Sequence, residues 1–191
     1  MRVPKAGGTL FNLSNPTTWT TSLSALEKEK ALAGLPDSSL LMLADILPTG
    51  VFAALQAINH PKVLPVVTGC PWPQCLTQAT TNTDHGDEVS LMTPEDRILT
   101  FAIIGLGPVG ICAAISLLDV LATRKLPFRI VAVDPIESRR EKMKVVYSAI
   151  GASGRGSGAF EVHSVEGARD VVNSWTSGVG CTAVLEVCQR T

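Results

Sequence analysis

Charged side chains are scarce in this sequence of 191 residues, in which Asp, Glu, Lys and Arg together make up only 17%. The 16 basic residues nearly balance the 17 acidic ones, and the formal net charge is -1. Because no stripe of Lys and Arg is present, neither nucleic acid nor an anionic membrane is expected as a partner. Hydrophobic residues make up 46%, which excludes an intrinsically disordered chain.

Cysteine is also sparse, and the five cysteines cannot all pair with one another. An odd count without a disulfide framework is typical of reduced thiols, and the N-terminus carries no apolar signal-peptide core. We therefore predict a cytoplasmic location. Cys70, Cys75, His60 and His85 could be imagined as a metal site, but their spacing matches no zinc pattern, which favours solvated loop residues.

One uncharged run is long enough to suggest a membrane span, because 21 residues separate Arg97 from Asp119. Three glycines and a proline interrupt the middle of this run, and the period of the apolar pattern changes there. A buried strand followed by a buried helix explains the run better, so no membrane span is predicted.

Apolar strands alternate with helices from residue 97 onward. The pattern predicts strands at 98–104, 128–133, 160–163 and 182–187, with helices at 109–122, 136–150 and 166–175 and a glycine-rich loop at 151–158. Elements that alternate in this way form a parallel sheet with right-handed crossovers. We therefore predict an α/β fold with a partial Rossmann-type parallel sheet of about four strands.

The part of the chain before residue 97 is less regular. Ser22 or Ser24 could cap a helix that runs to Gly34, and a second helix is predicted at 40–46. The sequence Pro48-Thr49-Gly50 is expected to interrupt that helix, which would continue after a kink at 51–58. Residues 59–93 show no sustained period and are expected to form an insertion or a flexible segment.

The first predicted strand is followed by the pattern G-x-G-x-x-G, formed by residues 105 to 110. Gly105 permits the tight turn off the strand, Gly107 lets a cofactor diphosphate approach the main chain, and Gly110 lets the helix pack closely on the strand. Pro108 suits the first helical turn, where no N–H is required, and the helix N-terminus attracts phosphate. The setting between strand and helix indicates dinucleotide binding.

Asp134 stands at the end of the second predicted strand, 24 residues after Gly110. A carboxylate at that position accepts hydrogen bonds from the adenosine ribose hydroxyls and repels a 2′-phosphate. The residue therefore predicts NAD rather than NADP as the cofactor. The alternative is an ordinary turn residue before Pro135.

Two segments carry a resemblance to a known family. They are LMLADILPTG, residues 41–50, and FAIIGLGPVG, residues 101–110, and together they resemble the zinc-dependent medium-chain dehydrogenases. Within that family the sequence looks most similar to the branch of alcohol-dehydrogenase-like enzymes that contains the glutathione-independent formaldehyde dehydrogenases. Residues 2–4 look like the end of the family's catalytic domain, and residues 184–187 look like its fourth cofactor-domain strand.

The resemblance implies roles for particular side chains. Asp45 matches a protein ligand of the catalytic zinc, Thr49 a residue beside the nicotinamide, and Val109 a residue that packs on it. Asp134 matches the ribose-binding carboxylate, and Arg139 a basic residue near the adenosine end. A zinc ion in such a site acts as a Lewis acid on an alcohol or aldehyde while the nicotinamide exchanges hydride.

The resemblance also implies a domain organisation. Residues 1–37 would be a remnant of the catalytic, GroES-like domain, and residues 38–58 a helical connection into the cofactor domain. Residues 59–96 would be an insertion or loop, and residues 97–191 a partial NAD-binding Rossmann domain. The family's other zinc ligands would lie before residue 1, so the chain is expected to be truncated at both ends, with an incomplete zinc ligand set.

These patterns lead to a functional hypothesis with two alternatives. We predict an NAD-dependent oxidoreductase of the zinc-type family that transfers hydride between a small alcohol or aldehyde and nicotinamide, with a possible homo-oligomeric state. One alternative is a truncated, catalytically inactive remnant that still binds NAD. The other is a zinc-free reductase of the same superfamily that uses NADPH.

Overall fold

The computed structural model describes residue 24, residues 36–69 and residues 98–188. The chain divides into two units, Met1–Leu43 and Ala44–Thr191. Helix α1, Asp37–Met42, belongs to the first unit, and every other described helix and strand belongs to the second. The predicted helix that ends at Gly34 and the proposed remnant of a catalytic domain lie outside the described residues, apart from residue 24 and the segment at 36–37.

Two helices precede the sheet in the second unit. Helix α2 spans Ile46–Ile58, and the short helix α3 spans Leu64–Thr68. Helix α3 and the fully buried Val63 lie in a segment that was expected to form an insertion or loop. Part of this segment therefore packs on the core, because Val63 is buried in the same apolar cluster as side chains of α2 and Val66 and Val67 are partly buried against it.

Four strands form one parallel sheet among the described residues. They are β1 Leu99–Ile104, β2 Phe128–Val133, β3 Ala159–His163 and β4 Ala183–Glu186. Their order in the sheet is β3-β2-β1-β4, and all three pairings are parallel. The predicted α/β, Rossmann-type sheet is confirmed, and all four predicted strands are present.

Helices connect these strands. They are α4 Pro108–Thr123, α5 Glu137–Ala149, the short α6 Ala152–Arg155 and α7 Val165–Thr176. Helix α6 occupies part of the predicted glycine-rich loop. The apolar run around the glycine turn is divided between β1 and α4, and within the described residues no helix is long and apolar enough to cross a membrane.

The sheet separates two apolar clusters. The larger cluster joins Phe101 and Ile103 of β1 to α2, α4 and Met143 of α5. The smaller cluster joins Ala102 to side chains of β2 and α7. Because alternate residues of a strand point to opposite faces, helix α7 covers the other face of the sheet from α2, α4 and α5.

The predicted break of helix α2 at Pro48-Thr49-Gly50 is wrong. The helix runs through all three residues, and the chain instead turns at 43–45. Pro48 is the third residue of α2, where a missing N–H removes no helical hydrogen bond because the first four amides have no partner within the helix. Gly50 is buried because α2 packs closely on α4 there.

We expect Gly50→Ala to destabilise the protein by about 1–3 kcal/mol, because overpacking a tight contact forces neighbouring backbone to shift. An added Cβ would lie 2.5 Å from Cys112 Cβ and 2.7 Å from Ala113 N. Alanine is otherwise the better helix former, so the sign of the change in the free energy of unfolding is informative. Denaturant unfolding measures it, with Gly151→Ala as the control because nothing lies within 4 Å of that Cβ. Equal stability of both variants would contradict the packing described above.

Candidate functional site

The site begins where β1 ends and the chain turns toward α4. Gly105 has a φ of +97°, a conformation that side-chain-bearing residues rarely adopt. Its N–H donates to Val133 O at 2.8 Å, which ties the turn to the end of β2. The turn therefore lies at the carboxyl edge of the sheet, where α/β folds bind their ligands.

Gly110 and Gly107 have different surroundings in this turn. A Cβ on Gly110 would lie 1.8 Å from Gly105 O, so any side chain there would push the helix away from the strand. A Cβ on Gly107 would meet no atom of the described residues within 4 Å. Within that part of the chain no packing contact requires a glycine at this position, and the backbone there is open to an approaching group.

Helix α4 begins beside this opening with amides that have no partner within the helix. The first helical hydrogen bond runs from Ile111 N to Gly107 O at 3.0 Å. Pro108 has no N–H, and the amides of Val109 and Gly110 precede the first helical bond. Val109 is half-buried and Pro108 is exposed. A helix start of this kind carries a partial positive charge and can bind phosphate oxygens.

Asp134 is only 1% exposed and holds the glycine turn in place. Its Oδ2 accepts the Leu106 N–H at 2.7 Å, and its Oδ1 accepts the Ile136 N–H at 2.8 Å. The carboxylate thus joins the end of β2 to the turn after β1. An ionised carboxylate offers about four acceptor positions, so these two bonds do not exhaust its capacity.

Two arginines of α5 lie close to Asp134. Arg139 Nη1 lies 3.5 Å from Asp134 Oδ2, and the Arg139 side chain is 51% exposed. Arg140 Nη1 donates to the carbonyls of Asp134 and Pro135, each at 2.8 Å. The structure therefore brings Arg139 to the glycine turn and Asp134. It also assigns Arg140 a backbone-fixing role that the sequence reasoning missed.

Asp45 and Thr49 lie together at the start of α2. The Thr49 hydroxyl donates to Asp45 O at 2.7 Å and lies 3.3 Å from Asp45 Oδ1, and both residues are exposed. Thr49 immediately precedes Gly50, which contacts α4. The structure places Thr49 on a helix packed against the one that begins at the glycine turn.

The expected zinc ion does not fit the described residues. Among them, no three His, Cys, Asp or Glu side chains are grouped so that they could hold a metal ion. Asp45 has the Thr49 hydroxyl as its side-chain partner and lies in no such group. His60 is bonded through Nδ1 to the Lys62 N–H, while Cys70, Cys75 and His85 lie outside the described residues.

Cys188 is a neighbour of the turn that the sequence reasoning missed. A Cβ on Gly105 would lie 3.0 Å from both Cys188 N and Cys188 Cβ. The parallel pairing of β4 with β1 brings the residues after both strands to one edge. The proximity of Cys188 to Gly105 can be recognised only from the sheet order, because the two residues are far apart in the sequence.

His163, the last residue of β3, has local partners. Its Nε2 lies 2.7 Å from Glu161 Oε2, and its carbonyl accepts the Asp134 N–H at 3.3 Å.

Comparison with known proteins gives one informative similarity. The chain is 29% identical over 188 residues to zinc-type alcohol dehydrogenase B of Aspergillus flavus. The alignment covers 98% of this chain but only 29% of that relative, so the chain spans less than a third of the relative's length. No family model matches the sequence, and no solved structure matches it. The similarity agrees with a zinc-type alcohol dehydrogenase resemblance and gives no support to the narrower formaldehyde dehydrogenase branch or to the alternative of an inactive remnant.

Proposed function

We propose that this chain binds NAD at the turn between β1 and α4 and contributes the cofactor-binding part of an oxidoreductase related to the zinc-type alcohol dehydrogenases. The observation that carries the proposal is the open backbone at Gly107 beside the unpaired amides of α4. A diphosphate bridging two nucleosides is the group that such a turn accommodates. The similarity to an alcohol dehydrogenase supports the reaction class.

The diphosphate would lie against Gly107 and accept hydrogen bonds from the amides of Val109 and Gly110. Both amides are fixed in direction by the helix, so they need no rearrangement to meet the phosphate oxygens. Gly110 keeps the helix close to β1, and Pro108 adds rigidity without adding an N–H. These residues bind and orient the cofactor, and the nicotinamide, when bound, supplies the hydride acceptor or donor.

The adenosine ribose would donate a hydroxyl to Asp134 Oδ1, the oxygen that accepts only one N–H within the described residues. Arg139 lies across the same carboxylate and is half exposed, so it has room to swing aside. We infer a preference for NAD over NADP because a 2′-phosphate would approach a carboxylate whose negative charge is held in place by backbone amides.

The substrate assignment depends on the relative and on the sequence motif. We propose a small alcohol or aldehyde as the hydride donor or acceptor. Thr49, which lies on α2, would be near the nicotinamide. The described residues do not form a zinc site, so the proposal concerns cofactor binding and hydride transfer alone. Alcohol-dependent formation of NADH by the purified chain would support turnover, and binding of NAD without it would favour the non-catalytic alternative.

Gly107→Val should weaken the binding of NAD and of ADP-ribose by about tenfold or more, because the side chain would occupy the place of the diphosphate. Within the described residues the new Cβ meets nothing within 4 Å, so no packing clash at that atom is expected in the free protein. Isothermal titration calorimetry measures both affinities. Gly151→Val is the matched control, because Gly151 also precedes a helix, has a similar φ of -63° against -69°, and is equally open. Unchanged NAD affinity in Gly107→Val would refute the proposed site.

Asp134→Asn should lower the free energy of unfolding by about 1–3 kcal/mol, because an amide group would face an N–H donor where an oxygen now accepts it. The affinity for NAD should fall, and the difference between the affinities for NAD and NADP should become smaller. Denaturant unfolding and calorimetry with both cofactors separate the two effects. Glu141→Gln, which removes an exposed ion pair with Lys144, should change stability by less than about 0.5 kcal/mol. A variant of Asp134 that matched the parent in both measurements would contradict the assigned role.

A further inference from the structure

A cavity of about 310 Å³ lies at the edge of the sheet opposite the glycine turn. It is bounded by the beginnings of β1 and β2, by the end of α7 and by the turn that leads into β4. The proposed cofactor site lies at the carboxyl ends of the strands, whereas this cavity lies at their amino ends. Its size falls at the lower end of the range for small-molecule sites.

Arg129 brings a positive charge into this cavity. It is the second residue of β2, it is partly buried, and its Nη1 donates to the carbonyl of Trp175. Within the part of the chain that the structure describes, no carboxylate lies at ion-pair distance from its guanidinium. A guanidinium carries five N–H donors, so the bond to Trp175 leaves most of them for another acceptor.

Hydroxyl groups add further donors. Thr182 Oγ1 accepts the Thr100 N–H at 3.1 Å, and a hydroxyl that accepts in this way still has its own proton to donate. Ser177 lies on the turn after α7 and is exposed at the cavity. Both hydroxyls line the same cavity as Arg129.

The end of α7 would ordinarily offer acceptors to this cavity, but its last carbonyls are already bonded. The carbonyl of Trp175 accepts from Arg129, that of Thr176 from Val179 N at 3.1 Å, and that of Asn173 from Gly178 N at 3.1 Å. The negative end of the helix is thus largely satisfied within the chain. The side chains of the cavity wall therefore offer the Arg129 guanidinium and hydroxyl donors to a ligand.

We propose that this cavity binds a small organic carboxylate, with the carboxylate on Arg129 and the Thr182 hydroxyl. A planar guanidinium pairs with a carboxylate through two parallel charge-assisted hydrogen bonds, which a neutral molecule does not form. Phosphate can form the same pair, so the preference for an organic carboxylate depends on the apolar part of the cavity wall. Ile98 and Val179 also line the cavity and provide apolar contact for the body of the ligand. The proposal does not depend on cofactor binding at the other edge.

Benzoate is the probe, added to the full ¹⁵N-labelled chain and followed by amide chemical shifts. We expect shifts at Gly180 and Thr182, with residues 105–110 unchanged, and at least about tenfold weaker binding of benzyl alcohol, which lacks the charge. Arg129→Gln should weaken benzoate binding by a similar factor. Arg124→Gln is the matched control, since Arg124 is an exposed cation at the end of α4 that does not line the cavity.

Several outcomes would overturn the proposal. Equal affinities for benzoate and benzyl alcohol would show that the negative charge does not contribute to binding. An affinity for inorganic phosphate as high as that for benzoate would contradict the preference for a carboxylate. Shifts confined to residues 105–110 would place the ligand elsewhere. If Arg129→Gln fails to fold because the bond to the Trp175 carbonyl is lost, Arg129→Lys keeps the charge and the ability to donate hydrogen bonds but lacks the planar guanidinium. That variant should fold and bind benzoate several-fold more weakly, and unchanged affinity would count against the site.

Discussion

The rest of the structure depends on the short distance between the end of strand β1 and the start of helix α4. The approach leaves no room for a Cβ at Gly110, which would lie 1.8 Å from the carbonyl of Gly105. Asp134 holds the intervening residue, Leu106, through a buried hydrogen bond of 2.7 Å. Because the turn is fixed from inside in this way, no side chain at Gly107 is needed to hold it within the described residues. The packing of α4 on β1 and the proposed binding of a ligand therefore depend on the same few backbone atoms.

The two proposed sites, at opposite edges of the sheet, would recognise acceptors by different means. At the carboxyl edge the donors would be backbone amides, whose direction is set by the helix and changes little with sequence. At the amino edge the donors are the Arg129 guanidinium and hydroxyl groups, so a single substitution can remove them. The core lies between these edges, and neither set of donors contacts the other. This separation predicts that ligands at the two proposed sites bind independently.

The sequence predicted the sheet well because strands and helices of similar length alternate and the glycine pattern marks the first crossover. The predictions were wrong where the position of a residue in the fold outweighed its local conformational preference. Pro48 does not break α2, since it falls in the first turn, and residues 64–68 form a helix because their apolar side chains reach the core. The pairing of Asp134 with Leu106 and the approach of Cys188 to Gly105 depend on sheet order, which residue spacing alone does not give. Asp45 was assigned by resemblance, and the described residues supply it with no companion ligands.

The central claim is that the open backbone between β1 and α4 is where a dinucleotide diphosphate binds. It is tested most directly by titrating the ¹⁵N-labelled chain with NAD and following every assigned amide. The account predicts that the largest shifts occur at Gly107, Val109 and Gly110, while Gly180 and Thr182 at the opposite edge stay in place. Saturable shifts elsewhere with an unchanged glycine turn would contradict it, as would the absence of any shift at millimolar NAD.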